Sequence, residues 1–344
     1  MNSKQAIIIS GIGNAIVDVL SYVNEETLKK LDLQKGSMQL CTEDFQKIVL
    51  NETSTQEISP GGSVANSIAT LAALNISSSF SAAIGKDLWG DAFEKSLLDC
   101  GVNLNLEVNH KQPTGKSIIL ITPDSERTMN TCLGASENNN ANFFALEHLG
   151  TSKYLFVEGY LLSSDIAWQN IVDSLPLLKK QNTKVILTLS DSICVSSYRS
   201  RFRYLIDESD LVFANSKEIA ALWSVGEESI DFASPLPSQK PYTLVVTRSE
   251  RGASVFSSNK VTTIKANKID NIVDLTGAGD QFAAGYIFGV LSNWDIKDCA
   301  KFGNELASKI IAQVGPRFKK EESESIWSKF AELNSLPKKV ANVR

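Results

Sequence analysis

The sequence predicts an α/β protein with three layers, in which helices cover both faces of a mostly parallel sheet. Three observations favour this class. Short apolar runs alternate with helical segments, two glycine-rich turns each open a helix, and a chain of 344 residues with 43% hydrophobic side chains can bury a large core. Ligands of such folds bind where the carboxyl ends of the strands meet. The glycine-rich turns therefore mark the predicted site.

The predicted elements follow one another in the order that a doubly covered sheet needs. Residues 6–12 form a continuous apolar run that predicts a buried first strand. Further strands are predicted at 79–84, 154–157, 185–189, 211–214, 244–247, 252–256 and 261–264. Helices are predicted at 27–33, 63–74, 91–99, 278–291 and 296–312. The polar stretch 227–240 predicts a surface excursion, and the charged chain after Pro316 predicts only marginal structure.

A second, smaller sheet is predicted outside this alternation. Residues 114–122 and 127–133 have the pattern of paired strands, and a polar turn, Pro123-Asp124-Ser125, joins them. With the short strand predicted at 37–40, they would form a small sheet beside the main fold.

Composition excludes several classes of function. The net charge is −5, and the sequence shows no clustered excess of basic residues of the kind found in nucleic-acid-binding proteins. This composition argues against a nucleic-acid-binding function. The five cysteines are scattered and form no C-x-x-C pair, which argues against a disulfide framework or zinc site and for a reducing, cytoplasmic location. The sequence has only two histidines, which argues against a histidine metal site and against a Ser-His-Asp catalytic triad. No uninterrupted apolar stretch is long enough to predict a membrane span.

The strongest motif is the string Asp274-Leu275-Thr276-Gly277-Ala278-Gly279-Asp280. Glycines allow a tight turn with bare amides, and the helix that follows adds the positive end of its dipole. Gly277, Ala278 and Gly279 can therefore hold a transferring phosphoryl group, while Asp280 accepts a proton from the attacking hydroxyl. The alternative is a plain glycine turn with an aspartate that favours the helix dipole.

A second glycine-rich turn, Gly61-Gly62, also opens a predicted helix. The two glycines allow a substrate to approach closely, and Ser63 and Asn66 can supply polar contacts. The alternative is that Ser63 is only the N-cap of the helix.

Two further candidates precede and follow these turns. Asn14 and Asp18 follow the first strand, and a carboxylate there can accept hydrogen bonds from two neighbouring hydroxyls of a sugar; a loop aspartate capping a local amide is the alternative. Arg127 lies on the predicted small sheet, from which it can neutralise phosphate charge or simply remain on the surface.

Asn215 and Glu218 have the spacing of a capping box at a helix start. The functional alternative is that Glu218, together with Asn215, organises water around a Mg²⁺ ion on nucleotide phosphates. Both can hold at once, since the cap would itself fix the carboxylate.

Together these motifs resemble the PfkB (ribokinase-like) carbohydrate and nucleoside kinases over about residues 6–316. Finer features resemble the adenosine kinase branch, particularly its bacterial members. They are Glu126-Arg127-Thr128-Met129-Asn130-Thr131-Cys132-Leu133-Gly134-Ala135, Leu189-Ser190-Asp191-Ser192 and Gln313-Val314-Gly315-Pro316-Arg317.

The resemblance implies a Rossmann-like core over residues 1–330 with a small β-sheet lid formed by segments of about 16–41 and 104–135. It implies that Asp18 binds ribose hydroxyls, that Gly62, Ser63 and Asn66 line the nucleoside site, and that Asn14 and Tyr160 lie beside the base. Thr247 and Gly252 would border the adenine and ribose of ATP. Leu275 stands where the family usually has threonine, near a monovalent-cation (K⁺) site at Asp274.

The expected reaction is transfer of the γ-phosphate of ATP, with Mg²⁺, to a primary hydroxyl, and adenosine is the first choice of acceptor. A ribokinase- or fructokinase-type sugar kinase and a non-catalytic nucleotide-sensing protein are the alternatives. The expected partner is a small nucleoside or sugar, with no nucleic acid or membrane, and the chain is expected to be a monomer or homodimer.

Overall fold

The computed structural model describes residues 6–55, 57–124, 126–138, 152–232, 242–258, 260–269 and 271–336. Within them a nine-stranded sheet forms the centre of the molecule. Its strands, from one edge to the other, are β14 (Lys260–Ile264), β13 (Ala253–Ser257), β12 (Thr243–Thr247), β11 (Leu211–Asn215), β10 (Lys184–Thr188), β9 (Tyr154–Glu158), β1 (Ile9–Ile12), β5 (Ser78–Gly85) and β6 (Asn103–Asn109).

The pairing confirms the predicted class. All neighbours from β12 to β6 are parallel, and only the hairpin β12–β13–β14 at one edge is antiparallel. The described helices are α1 (Glu25–Lys30), α2 (Glu43–Glu52), α3 (Ser63–Ala73), α4 (Leu88–Asp99), α5 (Asp165–Lys180), α6 (Ser192–Ser197), α7 (Arg199–Asp207), α8 (Ser216–Trp223), α9 (Ala278–Leu291), α10 (Ile296–Ile310) and α11 (Lys320–Leu333). None of these helices is both long and apolar enough to cross a membrane.

A separate five-stranded sheet lies beside the large one. Its order is β3 (Met38–Leu40), β8 (Arg127–Cys132), β7 (Gly115–Ile121), β2 (Ile16–Tyr22) and β4 (Glu57–Pro60). The predicted pairing of the strands around 114–122 and 127–133 is confirmed, because β7 and β8 are antiparallel neighbours. β6 falls within the second predicted lid segment but pairs with β5 in the large sheet, whereas β4 lies outside both segments.

Close helix packing explains the small residues that the sequence places in α3 and α9. The α3 segment from Val64 to Ala73 is buried along its whole length. A Cβ atom on Gly285 of α9 would lie 2.8 Å from the backbone nitrogen of Gly303 in α10, so glycine is required for this approach. Hydrogen bonds from Ser67 and Thr70 of α3 to Asp280 and Gln281 hold the N-terminus of α9 against α3.

The prediction of marginal structure after Pro316 was wrong. The helix α11 packs Trp327 and Phe330 into an aromatic cluster, in which the Trp327 ring lies 5.2 Å from that of Trp294 and the Phe330 ring 4.8 Å from that of Phe302. The charged residues of this segment face outward and hide this apolar spacing in the sequence. The segment 233–241, part of the predicted surface excursion, lies outside the described residues.

Candidate active site

A cavity of about 230 Å³ opens at the carboxyl ends of three central strands. Thr188 and Asn215 end β10 and β11, and Thr247 ends β12, so the parallel sheet brings their side chains to one edge. The N-terminus of α9 closes the cavity from the other side. Eight of the predicted site residues line it: Ser63, Asn215, Glu218, Thr247, Gly277, Ala278, Gly279 and Asp280.

The turn at the start of α9 has the geometry of an anion-binding site. Gly277 is the N-cap with φ +77°, and a Cβ there would lie 2.7 Å from Cβ of Pro316, so only glycine fits. A Cβ on Gly279 would meet nothing within 4 Å, which shows that this residue faces open space. The amides of Gly279 and Asp280 belong to the first helical turn, where N–H groups lack an intrahelical acceptor. Donors therefore face the cavity at the positive end of the helix dipole.

Asp280 is held by two donors from the other glycine-rich helix. The hydroxyl of Ser63 donates to Oδ1 at 2.7 Å, and Nδ2 of Asn66 donates to Oδ2 at 2.8 Å. Burial raises the pKa of Asp280 to about 6, although these two hydrogen bonds act in the opposite direction. Such a carboxylate is fixed in orientation and has a proton affinity suited to a general base near neutral pH.

The Gly61-Gly62 turn is packed against two predicted substrate-binding residues, Asp18 and Asn14. A Cβ on Gly61 would lie 2.6 Å from Oδ2 of Asp18, and one on Gly62, which has φ +89°, would lie 2.7 Å from the carbonyl oxygen of Asn14. The alternative that Ser63 is the N-cap was wrong, because Gly62 is the N-cap and the Ser63 hydroxyl is bonded to Asp280 instead.

Asp18 lies on β2 of the small sheet and is buried, with 9% of its surface exposed. Within the described part of the chain, no donor is hydrogen-bonded to its carboxylate. Burial raises its pKa to about 7, against the opposing charges of Arg317 and Arg127. Because a buried carboxylate without donors is costly, this one fits a site that a ligand with hydroxyl groups completes.

Glu158 is a site residue that the sequence analysis missed. It ends β9, and its carboxylate accepts hydrogen bonds from the backbone amides of Asn14 and Val64, both at 3.1 Å. It thereby caps α3 from another strand and ties the first loop to the Gly61-Gly62 helix. Burial raises its pKa to about 7. The sequence could have indicated Glu158 as a site residue, because it is a carboxylate directly after a predicted central strand.

Arg127 extends from β8 of the small sheet and forms a buried ion pair with Asp274. The same carboxylate accepts hydrogen bonds from the amides of Thr276 at 2.7 Å and Gly315 at 3.0 Å. Arg127 is therefore next to the glycine-rich turn at the start of α9, joined to it through Asp274, and does not itself line the cavity. The ion pair connects the small sheet to the segment that precedes α9.

The capping box of Asn215 and Glu218 is confirmed, and it lies in the cavity wall. The Glu218 amide donates to Oδ1 of Asn215 at 2.9 Å, while the Asn215 amide and side chain donate to the Glu218 carboxylate at 2.9 and 2.7 Å. Burial raises the pKa of Glu218 to about 8, which the charges of Asp191 and Asp280 reinforce. A cation in the cavity would stabilise its ionised form.

Eight of the predicted site residues do not line the cavity: Asn14, Asp18, Gly61, Gly62, Asn66, Arg127, Tyr160 and Gly252. Asn14 is buried, and its backbone contacts Glu158 and Gly62. Tyr160 follows β9 in a 3₁₀ turn, where burial holds its pKa well above the usual value. Gly252 has φ +85°, and a Cβ there would lie 2.0 Å from the carbonyl oxygen of Ile264, so its requirement for glycine comes from the β12–β13 connection.

The sequence matches the model of the pfkB family carbohydrate kinases over residues 31–323. The chain belongs to this family. The resemblance predicted from the motifs is thereby confirmed, and membership makes the chain a phosphotransferase that acts on a hydroxyl group. In this pfkB-family chain the two helices that follow the glycine-rich turns, α3 and α9, both contribute residues to one cavity.

Similar proteins include adenosine kinases and a sugar kinase. The crystal structure of adenosine kinase from Sinorhizobium meliloti is 30% identical, with a TM-score of 0.86 over 93% of this chain and 99% of that one. A probable sugar kinase from Rhizobium etli CFN 42 is 29% identical, with a TM-score of 0.86 over 96% and 99% of the two chains. Adenosine kinase from Dictyostelium discoideum is 25% identical over 327 residues, 88% of this chain and 94% of that protein.

Proposed function

We propose that this chain is an ATP-dependent nucleoside kinase that phosphorylates the primary hydroxyl of adenosine to give AMP. The observation that carries the proposal is the pairing of Asp280 with Ser63 and Asn66 at the bare amides of the α9 turn. This arrangement supports a role for Asp280 as the base and a role for the adjoining turn as the site of the transferring phosphoryl group. The similar adenosine kinases support the choice of a nucleoside.

In this mechanism the acceptor binds first between the two sheets. Asp18 accepts hydrogen bonds from the two ring hydroxyls of the ribose, while Gly61, Gly62 and Asn14 form the wall against which the sugar lies. The buried position of Asp18 and its lack of a described donor support this role. Tyr160 is proposed to lie toward the base, on the side of the 3₁₀ turn after β9.

ATP is proposed to enter at the ends of β11 and β12, where Thr247 lines the cavity and Gly252 shapes the adjoining connection. Its γ-phosphate then faces the turn Gly277-Ala278-Gly279, where the amides of Gly279 and Asp280 are the donors without an intrahelical acceptor. Asp280 takes the proton from the acceptor hydroxyl as the new P–O bond forms and the bond to ADP breaks. We propose that Arg127 adds positive charge beside the phosphates, either by leaving Asp274 or by contacting a phosphate while it stays paired with Asp274.

The residues present fit a Mg²⁺ ion carried by the nucleotide rather than a protein cage. Within the described residues there is no group of three or more His, Cys, Asp or Glu side chains arranged around a metal position. Glu218, oriented by Asn215 in the cavity wall, would hold such an ion through water. When bound, Mg²⁺ supplies positive charge that offsets the charge of the phosphates.

We also propose that the small sheet acts as a lid. Asp18 on β2 and Arg127 on β8 both belong to it, so the acceptor and phosphate sites would be complete only when this sheet lies against the large one. Closure of that kind would exclude water, which otherwise competes with the acceptor hydroxyl.

The second candidate is a sugar kinase, which the probable sugar kinase from Rhizobium etli CFN 42 and the family description favour. Asp18 could accept hydrogen bonds from two neighbouring hydroxyls of a free sugar as well as from those of a nucleoside. The test is ADP formation with adenosine, inosine, ribose and fructose as acceptors, with the D280N variant as the control for contaminating kinases. We expect adenosine to give the highest kcat/KM, and preference for a hexose by orders of magnitude would contradict the nucleoside assignment.

A further inference from the structure

Arg317 lies beyond α10 in the sequence, and its guanidinium group reaches the first turn of α3. Nε donates to Oδ1 of Asn66 at 2.8 Å, Nη2 to the carbonyl oxygen of Gly61 at 2.7 Å, and Nη1 to Oγ of Ser96 at 2.8 Å. The guanidinium also lies 5.5 Å from the centre of the Phe93 ring. Four contacts thus fix a partly buried cation beside the candidate active site.

These contacts determine which way the Asn66 amide points. A guanidinium group has donors only, so the Asn66 atom that faces Arg317 must be the oxygen. The Asn66 nitrogen then faces Asp280 and donates to its Oδ2 at 2.8 Å. Because the two ends of an amide have nearly the same shape, sterics alone would not select this orientation.

The same guanidinium is electrostatically coupled to both carboxylates of the site. Its positive charge lowers the pKa of Asp18 and of Asp280, in opposition to burial, which raises both. Burial in turn lowers the pKa of Arg317 to about 10, which leaves it charged at neutral pH. The hydrogen bond from Arg317 to the Gly61 carbonyl also holds Gly61 close to Asp18. A Cβ atom on Gly61 would contact the Asp18 carboxylate.

We propose that Arg317 is a positioning residue whose guanidinium orients Asn66 and, through it, holds the Asp280 carboxylate in the geometry from which it takes the acceptor proton. The inference rests on the proposed function, because it concerns the site at which Asp280 acts. Neither the motifs of the glycine-rich turns nor the family match assigns a role to Arg317.

Removal of this charge has a consequence for pH dependence. Among the described residues, Asp18 on β2, Glu158 at the end of β9 and Glu218 on α8 also interact electrostatically with Asp280, and all three are acids. Without Arg317 the ionised form of Asp280 loses its neighbouring cation and its oriented donor. The acid limb of kcat should then move to higher pH, by about one unit.

The experiment is a double-mutant cycle with R317M and N66A, measured as kcat and KM for adenosine from pH 5 to 9. R317M alone should lower kcat by roughly 10- to 100-fold and shift the acid limb upward. In the N66A background, R317M should lower kcat by less than about a further threefold, because the Asn66 amide through which Arg317 acts is absent. Full additivity of the two effects would overturn the inference.

Two further variants separate the possible causes. R317K keeps the charge and should restore most of the wild-type acid limb but only part of kcat, and it supplies the test if R317M fails to fold. K320M removes an exposed cation three positions away and should leave kcat and its pH profile unchanged. If the wild type is inactive or D280N is active, the proposed function fails; if both behave as expected while R317M resembles K320M, only the role of Arg317 fails.

Discussion

The guanidinium group of Arg127, on β8 of the small sheet, is ion-paired with the buried carboxylate of Asp274 in the segment before α9, although the two residues lie 147 positions apart. Two backbone amides also donate to this carboxylate. The side chain that would have to bind a monovalent cation is therefore already neutralised and hydrogen-bonded. Leu275, in place of the usual threonine, removes one oxygen from the same segment.

From this pairing we expect little activation by K⁺. Replacement of K⁺ by choline at constant ionic strength should change kcat by less than about twofold, because Arg127 occupies the carboxylate that would attract the ion. The assay is initial-rate ADP formation with adenosine. R127M frees Asp274 and is the informative comparison: it should lower kcat and increase the response to K⁺. Strong activation of the wild type by K⁺ would contradict the argument.

Replacement of the proposed base should separate binding from chemistry. We expect D280N to lower kcat by about 10²- to 10⁴-fold, while the Kd for adenosine changes by less than tenfold, since Asn preserves the side-chain shape. Calorimetric titration with adenosine and a coupled ADP assay measure the two quantities. Turnover close to that of the wild type would remove Asp280 from the mechanism.

The protein without substrate should lose stability as the pH rises from about 5 to 8. Burial raises the pKa of Asp280 to about 6, of Asp18 and Glu158 to about 7, and of Glu218 to about 8. These groups bind protons more tightly in the folded than in the unfolded chain, so their contribution is present at low pH and disappears as they ionise. Thermal unfolding midpoints across this range test the sign.

E218Q offers a control for that pH effect. It removes the group with the highest of these pKa values, so the decline in midpoint between pH 7 and 8 should become shallower. Asp124, whose pKa is lowered to about 2 by its bond to Lys35, titrates below the range and cannot produce the decline. A midpoint that rises between pH 5 and 8 would show that the buried carboxyls are not as protonated as their surroundings require.

E218Q should also raise the Mg²⁺ requirement. Loss of the carboxylate charge weakens water-mediated binding of the ion, so the Mg²⁺ concentration for half-maximal activity should increase by roughly three- to tenfold, with little change in KM for adenosine. E228Q, at an exposed position beyond the same helix, is the matched control and should resemble the wild type. An increase in adenosine KM alone would place Glu218 at the acceptor site instead.

The C-terminal helix should be essential to the fold. Phe330 is 7% exposed and packs on Phe302, so F330A should lower the free energy of unfolding by about 3–5 kcal/mol. Leu333 lies one turn later but is 84% exposed, and L333A should cost less than about 0.5 kcal/mol. Urea unfolding of both variants measures the difference. Equal effects would mean that the helix does not pack as described.

The sequence by itself determined eight of the nine strands of the large sheet, the two glycine-rich turns and the capping box at Asn215, because apolar periodicity and turn chemistry act between neighbours in the chain. The tertiary structure alone decided that Glu158 caps α3, that Arg127 pairs with Asp274, and that Arg317 orients Asn66 from 251 positions away. Such contacts depend on how the sheets and helices pack. A buried polar group finds its partner by position in space, and local sequence patterns carry no record of that position.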